Sequence, residues 1–201
     1  MWLYIIVFTI LIGIIAGVYK SKKSKNRLKD LETRLKNLIN FSASKQILGF
    51  ENTYLFAVDE SGKKIAILQE DEDIIIKFSE LIGVEIIEDG VITQKKSLSR
   101  TLGGALVGGV LAGGVGSVIG GLSGESTQKN KVSNISIKIL IRDINKPSVV
   151  IECFNSRRML NKTNVETQGK LLSNIYQTCR KNALAIKDII SVIIDVNENK
   201  N

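Results

Sequence analysis

Residues 102–122 run for 21 positions without a charged side chain, and nine of them are glycine. Their order has a period of four. Positions 104, 108, 112, 116, 120 and 124 are Gly104, Gly108, Ala112, Gly116, Gly120 and Gly124, while Leu106, Val110, Val118 and Leu122 fall in the other register. Residues four apart share a helix face, so this spacing predicts a helix with one small side and one bulky side. Small-xxx-small faces let helix backbones approach closely, a packing mode used in membranes. Ten glycines between 103 and 124 would cost such a helix on the order of 10 kcal/mol relative to alanine. It therefore needs packing or lipid around it.

The first 19 residues carry no charge and are rich in Ile, Leu, Val and aromatics. About 20 apolar residues suffice to cross a bilayer, and Trp2, Tyr4 and Tyr19 sit near the ends, where the interface favours them. A cleaved signal peptide normally opens with Lys or Arg; here the first cations follow the apolar run, at Lys20, Lys22, Lys23, Lys25 and Arg27. The expectation is a retained transmembrane helix at 1–19. The basic residues after it place the N-terminus outside and residues 20–201 in the cytoplasm. Cys153 and Cys179 would then be reduced, and their spacing is not that of a redox pair or zinc site. They read as small buried apolar residues.

The formal net charge of +8 is unevenly spread. Residues 20–36 hold eight Lys/Arg and two Asp/Glu, residues 51–92 hold three against eleven, and residues 93–142 hold seven against one. No nucleic-acid motif accompanies the positive charge, so anionic lipid headgroups are the expected partner of Lys20, Lys22, Lys23, Lys25 and Arg27, at about 1 kcal/mol per residue. Arg157, Arg158 and Lys162 would touch headgroups if they faced the membrane, and water otherwise.

Leu28, Leu31, Leu35 and Leu38 follow the 3-4-3 spacing of a coiled-coil seam, with Asp30–Arg34 and Glu32–Lys36 as i, i+4 pairs. A short helical stalk over 20–45 is predicted, and homo-oligomerisation through it stays open. Strands follow at 53–58, 64–69, 74–78, 81–87, 91–95, 132–142 and 148–154, with Asp89-Gly90 as a hairpin turn. Leu172, Ile175, Tyr176, Cys179, Ala183, Ile186 and Ile190 recur at helical steps and predict a closing helix over 164–194.

Seven strands ending in one long helix is the order of a pleckstrin-homology (PH)-like domain. The phrase Ile76-Lys77-Phe78-Ser79-Glu80-Leu81-Ile82-Gly83-Val84-Glu85 resembles the middle of bacterial PH-like domains, in which a hydrophobic strand leads to a pair of apolar residues before the next strand. The resemblance covers about 50–194, with the glycine run inserted before the sixth strand. It implies a binding or scaffolding module. The expected fold is α+β: an N-terminal transmembrane helix and stalk, a PH-like seven-strand antiparallel sheet or barrel, a C-terminal helix, a Gly-rich helical hairpin insertion at 102–124 and a polar tail at 195–201. Lys95, Lys96 and Arg100 before the insertion and Lys129 and Lys131 after it leave no charge asymmetry. A hairpin turning near Gly113-Gly114 is therefore favoured over a single crossing.

Catalytic chemistry finds no foothold. The chain has no His, no GxSxG and no Walker sequence. The run 114–120 lacks the spacing and setting of a dinucleotide loop, and 70–73 lacks the ligand alternation of an EF-hand. No enzyme, cofactor or metal is expected. The sequence points to a non-enzymatic membrane protein whose cytoplasmic PH-like domain binds an unidentified protein partner or lipid. The alternative is a membrane-active oligomer, of toxin or phage-exclusion type, acting through glycine hairpins.

Overall fold

The structure, a computed structural model, describes residues 2–97, 132–156 and 168–199. The chain divides into two units, Met1–Ile75 and Ile76–Asn201. The glycine run and its face Gly104, Gly108, Ala112, Gly116, Gly120 and Gly124 lie outside the described residues, as do Arg157, Arg158 and Lys162.

The first unit opens with one helix, α1 (Trp2–Lys36). Strands β1 (Lys45–Leu48), β2 (Leu55–Asp59), β3 (Lys64–Leu68) and β4 (Asp73–Lys77) follow and form an antiparallel sheet in that order. β2 and β3 pair Leu55 with Leu68, Phe56 with Ile67 and Ala57 with Ala66. The side chains of both strands are buried on both faces, except for the half-buried Lys64 at the start of β3. Period-two alternation puts Leu55, Ala57, Ala66 and Leu68 on one face, where Leu31 and Leu35 of α1 pack on them. The leucine seam of the stalk is thus covered by the chain's own sheet. The Asp59 carboxylate orders the β2–β3 turn, accepting from Gly62 N and Ser61 Oγ at 2.7 Å each, and from Ser42 N at 3.1 Å.

Near the start of the second unit is a 3-10 turn, Phe78–Glu80, whose Glu80 carboxylate accepts from Lys77 N at 3.0 Å. Strands β5 (Leu81–Glu88), β6 (Val91–Ser97), β7 (Asn134–Ile141) and β8 (Ser148–Asn155) form an antiparallel sheet ordered β6-β5-β7-β8. β7 alternates half-buried and buried residues along its length, with Ile135, Ile137, Ile139 and Ile141 inward. The last helix, α2 (Gln168–Glu198), lies on β5, β7 and β8 and buries Cys179, Ala183, Ile186, Ile190 and Ile194 at three- and four-residue steps. Both edges of β5 are occupied. Ser97 ends β6 opposite Gly83, whereas β7 begins beside Glu88, at the other end of β5.

The structure corrects the expected fold in two respects. Among the described residues no helix is long and apolar enough to cross a membrane, so the N-terminal transmembrane helix expected at 1–19 is not found. The expected anchor and stalk are one helix, whose second half brings ten charged residues into the same element. The expected seven-strand sheet or barrel is instead eight strands in two four-stranded sheets. The additional strand, β1, is four residues long and its Lys45 and Gln46 are exposed, so it carries no hydrophobic alternation for the sequence to display.

Candidate binding cleft

The second half of α1, the 3-10 turn Phe50–Asn52 and the β3–β4 connection enclose an open cleft of about 560 Å³. Helical spacing explains which residues reach it. Lys22, Asn26, Asp30 and Arg34 are four apart, and Lys23 and Arg27 form the neighbouring row. Leu31 lies at its floor and belongs to the core.

Arg34 is fully engaged. Its Nη2 donates to the Gln69 carbonyl at 2.7 Å and to Asp73 Oδ1, its Nε to Asp73 Oδ2 at 3.3 Å, and its Nη1 to Asp30 Oδ2 at 3.2 Å. The Asp73 hydrogen bond pushes the guanidinium further up, against the opposing effect of burial, so Arg34 stays charged. It is the fastener between α1 and the β3–β4 connection.

Arg27 is held more loosely. Its Nη2 lies 3.7 Å from Glu70 Oε2, and the Glu70 side chain is 78% exposed. Lys22 and Lys23 are exposed and make no ion pair among the described residues. On the opposite wall Asn52 donates from Nδ2 to Ser24 O at 3.0 Å and to Ser24 Oγ at 3.1 Å. Glu51 and Asn52 both have positive φ, 52° and 58°, a conformation that costs a non-glycine residue energy and is retained where the surroundings fix it. The strained turn holds the wall of the cleft against α1. Four cations against two carboxylates line it, so it favours an anion.

The structure brings together three of the five cations expected at headgroups, Lys22, Lys23 and Arg27. Lys25 is exposed outside the cleft lining, and the Lys20 side chain lies outside the described residues. Asn26, Arg34, Asn52 and Glu70 were not expected there. Glu70-Asp71-Glu72-Asp73 reads as a solvated loop in sequence, yet Glu70 and Asp73 face arginines of α1. The pairing spans some 40 residues of sequence, which no local pattern displays.

The second unit has a polar cluster at the end of β5. Glu88 is buried and accepts from Arg180 Nε at 3.3 Å and Tyr176 Oη at 3.4 Å. The next residue, Asp89, accepts from Ser133 N at 2.8 Å, Ser133 Oγ at 2.7 Å and Asn134 N at 2.9 Å, fastening the chain where it enters β7. Burial raises the Asp89 carboxyl's pKa, but these hydrogen bonds outweigh it and the net shift is downward. Cys153 and Cys179 are both free and buried, as expected for apolar fillers. Burial pushes the Cys179 thiol up to about 11. Among the described residues no cluster of His, Cys, Asp and Glu is arranged to hold a metal.

Comparison with known proteins gives this architecture a context. Over 183 residues, 88% of this chain, it is 35% identical to an SPbeta prophage-derived uncharacterized membrane protein, YomJ, of Bacillus subtilis (strain 168), covering 78% of that protein. It is also 35% identical over 183 residues to an immunity protein of Bacillus phage SPbeta, covering 88% of each. No solved structure matches. The name immunity protein is of a non-enzymatic kind. The family described as glycine zipper containing PH domain matches residues 40–155, more than half of the chain and a span that includes the glycine run. The chain belongs to the family of PH domains that contain a glycine zipper.

Proposed function

We propose that this chain is a non-enzymatic immunity protein acting at a bacterial membrane, where its PH-like domain binds a partner or lipid on the cytoplasmic side. The observation that carries the reading is the 35% identity, over 88% of both chains, to the immunity protein of Bacillus phage SPbeta. The relative named as a membrane protein supports the location. So does α1: Trp2, Tyr4, Ile5, Val7 and Phe8 are exposed at its start, a group of apolar side chains that water disfavours and a lipid surface accepts. The Lys/Arg-rich residues that follow favour the cytoplasmic leaflet.

The test is a plating assay. Cells expressing the chain are challenged with a phage related to SPbeta, and plaque counts are compared with those of cells carrying an empty vector. Protection, with the chain recovered in the membrane fraction, is the expected result. Full plating on cells that hold the chain in their membranes would sink the immunity reading. Leakage of a small dye from uninfected expressing cells would instead favour the membrane-permeating oligomer.

A further inference from the structure

We infer that the cleft between α1 and the β3–β4 connection is a binding site for the phosphate group of an anionic membrane phospholipid, and that Glu70 occupies the place of that phosphate when no lipid is bound. The inference rests on the reading of the chain as membrane-associated and deepens it.

Three features of the cleft carry the argument. First, its cations differ in how far they are committed. Arg34 spends its donors on Gln69, Asp73 and Asp30, whereas Lys22 and Lys23 have no ion partner among the described residues. Second, Arg27 faces a single exposed carboxylate across 3.7 Å, longer than a charge-assisted hydrogen bond. A contact of that kind, near water, is weak and readily exchanged. A phosphate oxygen approaching Arg27 would replace Glu70 with a group of the same charge and better geometry for the guanidinium. Third, the wall opposite the lysines is held by the Asn52–Ser24 hydrogen bonds and a turn with two left-handed residues, so the cleft is formed before the ligand arrives. The lysines lie on the same helix as the exposed Trp2, Tyr4, Ile5, Val7 and Phe8. A headgroup presented by lipid that accepts those side chains supplies the phosphate.

The test is native mass spectrometry of the detergent-solubilised full chain titrated with phosphatidylglycerol or phosphatidylcholine. One saturable phosphatidylglycerol adduct, preferred over phosphatidylcholine, is expected. At about 1 kcal/mol per basic residue, loss of two lysines from general attraction alone weakens binding about thirtyfold. Lys22→Ala with Lys23→Ala should exceed the loss in the control pair Lys25→Ala with Lys29→Ala, exposed lysines outside the cleft, by about tenfold. Glu70→Gln should strengthen binding about fivefold, because it frees Arg27. Equal losses in the two lysine pairs, or no gain in Glu70→Gln, would overturn the site. Glycerol phosphate alone binding as tightly as the lipid would overturn the membrane as its source. All these side chains are exposed, and an unchanged thermal midpoint verifies folding. Plaque protection without a selective adduct would sink this inference alone, and a selective adduct without protection would sink only the immunity reading.

Discussion

Replacing Leu31 by alanine separates two uses of the leucine seam on α1. In sequence, Leu28, Leu31, Leu35 and Leu38 are equivalent members of a 3-4-3 pattern. In the structure Leu31 and Leu35 are buried against Leu55, Ala57, Ala66 and Leu68, while Leu28 and Leu38 are half-buried. Truncating a leucine removes three carbons, a transfer loss of about 2.4 kcal/mol at about 0.8 per buried methylene. The facing residues include Ala57 and Ala66, which are too short to fill the space, so a cavity contribution remains and the total comes to about 3 kcal/mol. For a unit of 75 residues that lowers the thermal midpoint by about 12–24 °C. Leu28→Ala, at a half-buried position, should cost about 1 kcal/mol. Circular dichroism melts at two protein concentrations, with hydrogen exchange at the amides of Leu55–Asp59, read both numbers. Equal losses at 28 and 31, or a midpoint that rises with concentration, would refute intramolecular packing and restore the coiled-coil seam.

Other expectations follow from the polar clusters and the thiols. Arg180→Met leaves the buried Glu88 carboxylate with Tyr176 as its one side-chain donor among the described residues and should destabilise the second unit by about 2 kcal/mol, read by urea denaturation. Asp89 has a folded-state pKa below its unfolded value of about 3.9, so its contribution is present above that pH and is lost as pH falls through the folded value. An acid titration of stability should therefore be flatter below about pH 4 in Asp89→Asn than in the parent; identical slopes would exclude the Ser133–Asn134 fastening. With Cys153 and Cys179 buried and the Cys179 thiol raised to about 11, neither should react with a thiol reagent at neutral pH in the folded protein, and both should react in urea. Labelling of the native protein within minutes would contradict their burial.

The parts of this fold legible in sequence are those with a strong local period. β7 alternates isoleucines with polar residues, and its described span Asn134–Ile141 falls within the expected 132–142. The stripe Cys179, Ala183, Ile186 and Ile190 foretold the face that α2 buries. β1 was invisible because four residues with two exposed polar side chains carry no period, and their pairing with β2 is set by the sheet. The division into two sheets was hidden for a related reason: the turn Phe78–Glu80 looks locally like a continuation from one strand to the next. The cleft was half legible. A run of Lys and Arg after an apolar stretch marked the cations, but their sorting depends on partners that fold back from Asn52, Glu70 and Asp73. The transmembrane expectation came from the apolar residues 1–19 and the cations that follow them, whereas among the described residues no helix is long and apolar enough to cross a membrane.

The positions of Ser97 and Asn134 at opposite ends of β5 set a length requirement. β6 and β7 both run antiparallel to β5, so they are parallel to each other, and the chain joining them has to traverse the sheet. The traverse is about five residues of strand, about 17 Å, and a parallel connection of this kind needs about a dozen residues. The chain provides 36 between Ser97 and Asn134. A hairpin that returns to the end it left would still need a further stretch to make the traverse. About two dozen residues, close to the length of the glycine run, are thus surplus to connectivity. A chain with 102–124 excised should still close its second sheet, which makes the glycine run separable from the fold and any part it plays in the proposed immunity measurable by deletion.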